Sequence, residues 1–213
     1  MTIKVGVVGV GNIGSIHARI YKESTKAELV AVCDLDREKA DRAAAAYGAQ
    51  AFYRVKDMLD SGITLDACSV ATKGEENGGE HYEPTMELLR AGIAVLGEKP
   101  ISNQIAEGEK MVALAREKRL PYGVNLNHRF TPAAAQAREW IDEGRLGALH
   151  MINMRMWINN PVETSPWFHL RALHPHSFDV IRYFAGDIKK GSRIYDEGRG
   201  KEHLVKCTSP PFL

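Results

Sequence analysis

Residues 3–14, IKVGVVGVGNIG, constrain the fold of this 213-residue chain more than any other stretch. The first half is an almost unbroken β-branched run. That pattern predicts a strand buried on both faces of a parallel sheet, not one that alternates between core and water. The run ends in Gly9-x-Gly11-x-x-Gly14 and opens a helical stretch over about residues 13–24. Each glycine has a distinct physical task there. Gly9 permits the tight turn, Gly11 lets the backbone approach a pyrophosphate, and Gly14 lets helix and strand pack closely. Asn12 and Ile13 complete the turn, whose free N–H groups at the helix start suit an anion.

The second apolar run, ELVAVCD, ends in Asp34, twenty residues beyond Gly14. A carboxylate at that point can accept hydrogen bonds from adenosine ribose hydroxyls, and it would repel a 2′-phosphate. NAD is therefore the expected cofactor, with NADP left open by the nearby Arg37. A methyltransferase binding S-adenosylmethionine is a competing reading of the same glycines.

Strand-like and helix-like stretches keep alternating up to about residue 124: DREKADRAAAAYG, stopped by Gly48; DACSVAT; HYEPTMELLRAG; AGIAVLGEKP; SNQIAEGEKMVALAREK; and PYGVNL. The expected class is α/β, a doubly wound parallel Rossmann sheet over residues 1–124. A partial α+β substrate domain follows over residues 125–190. Within it, Thr131 and Pro132 open a helix, ALHMINMRMWIN alternates as a strand, PVETSPW is a loop, and HSFDVIRYFAG has helical spacing. Residues 191–213 show neither period and read as an aberrant tail, out of frame through a one-base insertion. One codon spelling with a nucleotide deleted after Lys190 gives two strand-like runs around a Gly-rich turn.

Twenty-eight basic residues against 27 acidic ones, with no long basic block, predict neither nucleic-acid nor membrane partners. A small molecule is the default partner. Cys33, Cys68 and Cys207 form no CxxC pair, no leader precedes the first strand, and no apolar run approaches membrane-spanning length, so a reduced, cytoplasmic protein is expected.

Two further segments carry chemistry. GEKPIS places Glu98, Lys99 and Pro100 at the end of a parallel strand, where ligands of such sheets sit. LRALHPHSFDVIRYFAG sets His174, His176 and Asp179 at a helix start. Those residues allow a base or, by type alone, a metal site; no fourth ligand stands out, and no metal is expected. His17 reads as a packing residue. His128 and Arg129 read either as cofactor or substrate contacts or as a solvated loop.

Together the glycine fingerprint, CDLD, EKP, NHRF and the later His-x-x-Asp resemble the Gfo/Idh/MocA oxidoreductases, the family of glucose–fructose oxidoreductase and inositol dehydrogenase. The likeness covers about residues 3–190. It implies hydride transfer between a sugar or polyol hydroxyl carbon and the nicotinamide, with Lys99 beside the reacting hydroxyl and His176 as the proton acceptor. It also implies that Asp179 and Arg129 meet substrate, that Thr72 and Glu98 join Lys99 at the cofactor edge, and that full-length members homo-oligomerise through a large sheet absent here; Trp167 and His169, just ahead of the motif, read either as packing against a sugar face or as core packing. The chain departs from the family pattern in three ways. Ala172 replaces a common carboxylate four residues before the histidine, Lys73 takes the place of a proline, and the chain is short. A cofactor-binding protein with little or no turnover is therefore the alternative.

Overall fold

The computed structural model describes residues 2–74, 79–156, 168–188, 190–195 and 203–208. Contacts divide the chain into two compact units, Met1–Asn125 and Leu126–Leu213.

The first unit is built on six parallel strands: β1 (Ile3–Val8), β2 (Ala27–Cys33), β3 (Gln50–Phe52), β4 (Ala67–Val70), β5 (Ala94–Gly97) and β6 (Tyr122–Val124). Their spatial order is β3-β2-β1-β4-β5-β6, the doubly wound order in which direction reverses beside β1. The connecting helices are α1 (Asn12–Glu23), α2 (Arg37–Tyr47), α3 (Val55–Asp60), α4 (Tyr82–Arg90) and α5 (Ile105–Lys118). β3 and α3 are additions to the sequence expectation; a three-residue strand and a six-residue helix are too short to show a period.

Both faces of the sheet are covered, as the continuous apolar strands require. Val5 and Val7 of β1 join one buried cluster with Ala18 of α1 and Ala43 of α2. Val8 joins a second with Met58, Leu88, Leu89 and Ala115, from α3, α4 and α5. Helix ends follow local chemistry. The Asp36 side chain accepts a hydrogen bond from the Lys39 N–H to start α2, and Gly48 ends it in the left-handed region.

Strand register fixes what comes next. Val8 pairs with Cys33 on one side and Val70 on the other, Val70 pairs with Gly97, and Gly97 with Val124. Five strands thus end along one line, and the residues just past it lie side by side: Gly9, Asp34, Ala71, Glu98 and Asn125.

In the second unit, a short 3-10 turn (Asn127–Phe130) leads into α6 (Pro132–Asp142), whose Thr131 cap accepts from the Ala134 N–H. A π-helical turn (His169–Leu173) runs into α7 (His174–Ala185). Two expectations are corrected here. The described part of ALHMINMRMWIN, residues 148–156, is not a strand, and Met151 is 82% exposed. Alternation makes a strand only when a neighbour supplies the ladder, and among the described residues none pairs with this segment. Conversely, the tail carries an antiparallel pair, β7 (Lys190–Tyr195) with β8 (His203–Thr208). Backbone pairing around a Gly-containing connection needs no apolar alternation, so the pattern reading missed it. PVETSPW and residues 157–159 lie outside the described residues.

Leu88 is fully buried in the α4 side of the core. Leu88→Ala should cost about 3 kcal/mol of unfolding free energy in the first unit, measured by urea denaturation.

Candidate functional site

The glycine turn is defined by close approach. Gly9 has φ +84°, and a Cβ there would lie 2.6 Å from the Ala71 carbonyl oxygen and the Thr72 nitrogen. A Cβ on Gly14 would lie 1.7 Å from the Gly9 carbonyl oxygen, so only glycine allows α1 to begin against the end of β1. Gly11 is different: nothing lies within 4 Å of the position its Cβ would take. Its open face, the absence of an acidic residue in the first turn of α1 and the lack of a side-chain cap leave N–H groups at the helix start available to a phosphate. Asn12 and Ile13 are exposed there. Asp34 closes the turn from β2, its Oδ2 accepting from the Val10 N–H at 2.9 Å and its Oδ1 from the Asp36 N–H at 2.9 Å. The crest therefore fits a dinucleotide.

Beyond β4 and β5 stand two buried polar networks that the sequence reading did not find. His17, taken as a packing residue, is 8% exposed and joins a chain of side chains across the sheet ends. Its Nδ1 lies 3.1 Å from Ser69 Oγ, which is 2.7 Å from the Tyr21 hydroxyl. Its Nε2 lies 3.2 Å from Glu98 Oε1, and Asn125 Nδ2 donates to the same oxygen at 2.6 Å. Both ring nitrogens of His17 thus have a polar partner, the carboxylate at Nε2 and the Ser69 hydroxyl at Nδ1. Serine, histidine and glutamate in sequence suggest a nucleophilic relay, but Ser69 is 0% exposed and can meet no substrate. The available signal was a histidine three residues past Gly14, on the same side of α1 as buried Ala18.

Burial pushes the Glu98 carboxyl up, but the hydrogen bonds from His17 and Asn125, helped by the His17 charge and the Lys99 N–H, outweigh it and hold the group below its ordinary value. The Lys99 N–H donates to Glu98 Oε2 at 3.3 Å, so the carboxylate also braces the turn that carries Lys99. Lys99 is half-buried, and the Lys99–Pro100 peptide is cis. The second network centres on His81, 3% exposed at the start of α4. Its Nε2 lies 3.1 Å from the Thr72 carbonyl oxygen and its Nδ1 2.9 Å from that of Pro100. The Thr72 hydroxyl donates to the Glu80 carbonyl at 2.7 Å.

In the second unit, α7 presents His176 and Asp179 three residues apart on one face, 9% and 7% exposed. The His128 ring stacks on His176 with centroids 4.2 Å apart and 12° between planes. Arg129 engages both Asp179 oxygens, through Nε at 2.7 Å and through Nη2, and its guanidinium lies 5.2 Å from the Tyr183 ring. The hydrogen bond to Asp179 raises the Arg129 pKa further. Buried Ala172 occupies the π-helical turn before α7, and the His174 ring contacts Ser177 Oγ at 3.1 Å. Trp167 lies outside the described residues. Among the described residues no cluster of His, Cys, Asp and Glu could hold a metal, and no helix is long and apolar enough to cross a membrane.

Residues 3–126 match the model of the Gfo/Idh/MocA oxidoreductase family, NAD-binding Rossmann fold, and residues 134–198 match that family's C-terminal domain. The chain belongs to the Gfo/Idh/MocA family. It is 27% identical over 194 residues to inositol 2-dehydrogenase of Rhizobium meliloti, covering 88% of this chain and 56% of that protein. It is 30% identical to inositol 2-dehydrogenase 3 of Saccharopolyspora erythraea, covering 100% of this chain and 62% of that one. The chain thus spans little more than half the length of these relatives. Among solved structures, the WlbA dehydrogenase of Bordetella pertussis, in complex with NADH and UDP-GlcNAcA, superposes with a TM-score of 0.81 at 25% identity, over 95% of this chain and 64% of that one.

The two glycines should separate folding from binding. Gly14→Ala must displace backbone and should lower the melting temperature, whereas Gly11→Ala should leave it unchanged and weaken NADH binding at least about tenfold by fluorescence titration. A second expectation concerns pH. Because the folded Glu98 carboxyl titrates below its ordinary value of 4.5, its contribution to stability is present above that pH and lost as the pH falls through the lowered value. Glu98→Gln should flatten this acid limb in pH-dependent urea unfolding.

Proposed function

We propose that this protein is an NAD-dependent sugar or polyol dehydrogenase, with Lys99 and His176 as its working pair. One observation carries the reading: the register of five parallel strands brings the glycine turn, Asp34 and the Lys99 turn to one edge of the sheet, in a chain of a family whose N-terminal domain binds NAD. NAD is preferred over NADP because a 2′-phosphate would meet the Asp34 carboxylate.

The glycine turn and the start of α1 would hold the pyrophosphate and Asp34 the adenosine ribose. When bound, the nicotinamide accepts the hydride of the substrate carbon. The His176 imidazole is assigned to take the hydroxyl proton, and the Lys99 ammonium to favour the developing alkoxide. His128, flat against His176, fixes the plane of the base. Asp179 acts through Arg129: both carboxylate oxygens are on the guanidinium, and we assign the Nη1 end of the fork to a substrate hydroxyl. Trp167 is assigned to the apolar face of the sugar ring. Inositol-type polyols are the first substrates to test, since two of the relatives above are named inositol dehydrogenases. The named ligand of the WlbA structure adds nucleotide sugars to the panel.

A second reading, cofactor binding with little turnover, rests on Ala172 in place of an acid that the family commonly carries. A substrate panel with NAD, read at 340 nm beside NADH binding by fluorescence, separates the two. The dehydrogenase reading expects reduction with at least one polyol or sugar, lowered by about 10²–10⁴ in His176→Asn with NADH affinity kept. Binding without reduction across the panel selects the second reading, and absence of binding sinks both.

A further inference from the structure

The two buried histidines near Lys99 differ in what surrounds them. His17 faces a carboxylate on one side and a hydroxyl on the other, and the hydroxyl can donate. His81 faces two backbone carbonyl oxygens, those of Thr72 at 3.1 Å and Pro100 at 2.9 Å. A carbonyl only accepts. A neutral imidazole carries one N–H, so either tautomer would point a nitrogen lone pair at an oxygen lone pair within hydrogen-bond distance, inside the protein and with 3% of the residue exposed. Only the imidazolium satisfies both contacts.

We propose that His81 is a cationic positioning residue: its imidazolium donates to the Thr72 and Pro100 carbonyls together and so straps the loop after β4 to the turn that carries Lys99. The strap is reciprocated on one side, because the Thr72 hydroxyl donates back to the carbonyl of Glu80, the residue before His81. On the other side it holds the carbonyl next to Lys99 at the opposite end of the turn from Glu98, whose carboxylate takes the Lys99 N–H. The turn is thus gripped at both ends by side chains that are themselves buried, and Lys99 has little backbone freedom.

Charged residues flank the imidazolium in sequence on each segment it joins. Glu80 and Glu83 on its own segment favour the cation. Lys73, beyond Thr72, and Lys99, before Pro100, oppose it, as does the N-terminal end of α4. The two carbonyl acceptors decide between these influences, since they are the groups in direct contact.

The strap is a property of the first unit. Its value to Lys99 rests on the dehydrogenase reading, but its test does not need turnover. In the ¹⁵N-labelled chain, the His81 ring signals, assigned by their loss in His81→Gln, should show both nitrogens protonated at pH 7.5. In His81→Gln the single amide nitrogen cannot donate in two opposed directions, and amide exchange at Lys99 and Ile101 should quicken at least tenfold while the urea midpoint of the unit stays close to wild type. A neutral tautomer at pH 7.5 overturns the proposal, as do unchanged exchange rates in His81→Gln. Failure of the substrate panel with a protonated His81 would count against the dehydrogenase reading alone.

Discussion

The contact on which the rest of the first unit depends is the approach of Gly14 to the Gly9 carbonyl. A methyl group there would sit 1.7 Å from the oxygen, so α1 starts where no other residue would let it start. From that start, one turn of helix delivers His17 to Ser69 on β4 and to Glu98 beyond β5. A glycine at the cofactor turn therefore also determines whether a buried carboxylate two strands away finds its partner. The same steric fact that shapes the phosphate turn orders the Lys99 turn, which is reached only through tertiary contacts.

Burying a carboxylate at a strand end is costly unless both of its oxygens are hydrogen-bonded. Glu98 meets that condition with His17, Asn125 and the Lys99 amide, drawn from α1, the residue after β6 and its own turn. Three elements are consequently tied at one point, and loss of any partner leaves the carboxylate short of a donor. Such a network specifies geometry more than it adds stability, and it fixes the turn that carries Lys99.

The fold of the first unit was legible because strands buried on both faces read as continuous apolar runs, and because caps such as Asp36 and stops such as Gly48 act locally. The residues of the glycine turn, Asp34 and Lys99 were legible as a crest for a related reason: topology places the ends of parallel strands side by side once the alternation is recognised. What was hidden depends on distance along the chain. His17 to Ser69 spans 52 residues, Asn125 to Glu98 spans 27, and Arg129 to Asp179 spans 50. No local pattern encodes those meetings, and a lone histidine on a helix face is most often packing. The segment over residues 148–156 failed in the opposite sense: its alternation is real, but a ladder needs a partner that the pattern cannot supply.

In the second unit the spacing of two short motifs does the equivalent work. The His-x-x-Asp spacing puts His176 and Asp179 one turn apart on α7, and the consecutive residues His128 and Arg129 meet them in the same order, ring on ring and fork on carboxylate. The ring stack alone would not hold the helix register. A stacked pair can slide, while a bidentate pair fixes both distance and direction. With Arg129 engaging Asp179 through both carboxylate oxygens, the stacked His128 and His176 rings are held nearly parallel. The NHRF segment is therefore best understood as the mount of the α7 pair, which is why its arginine and its histidine are needed as neighbours and not merely as types.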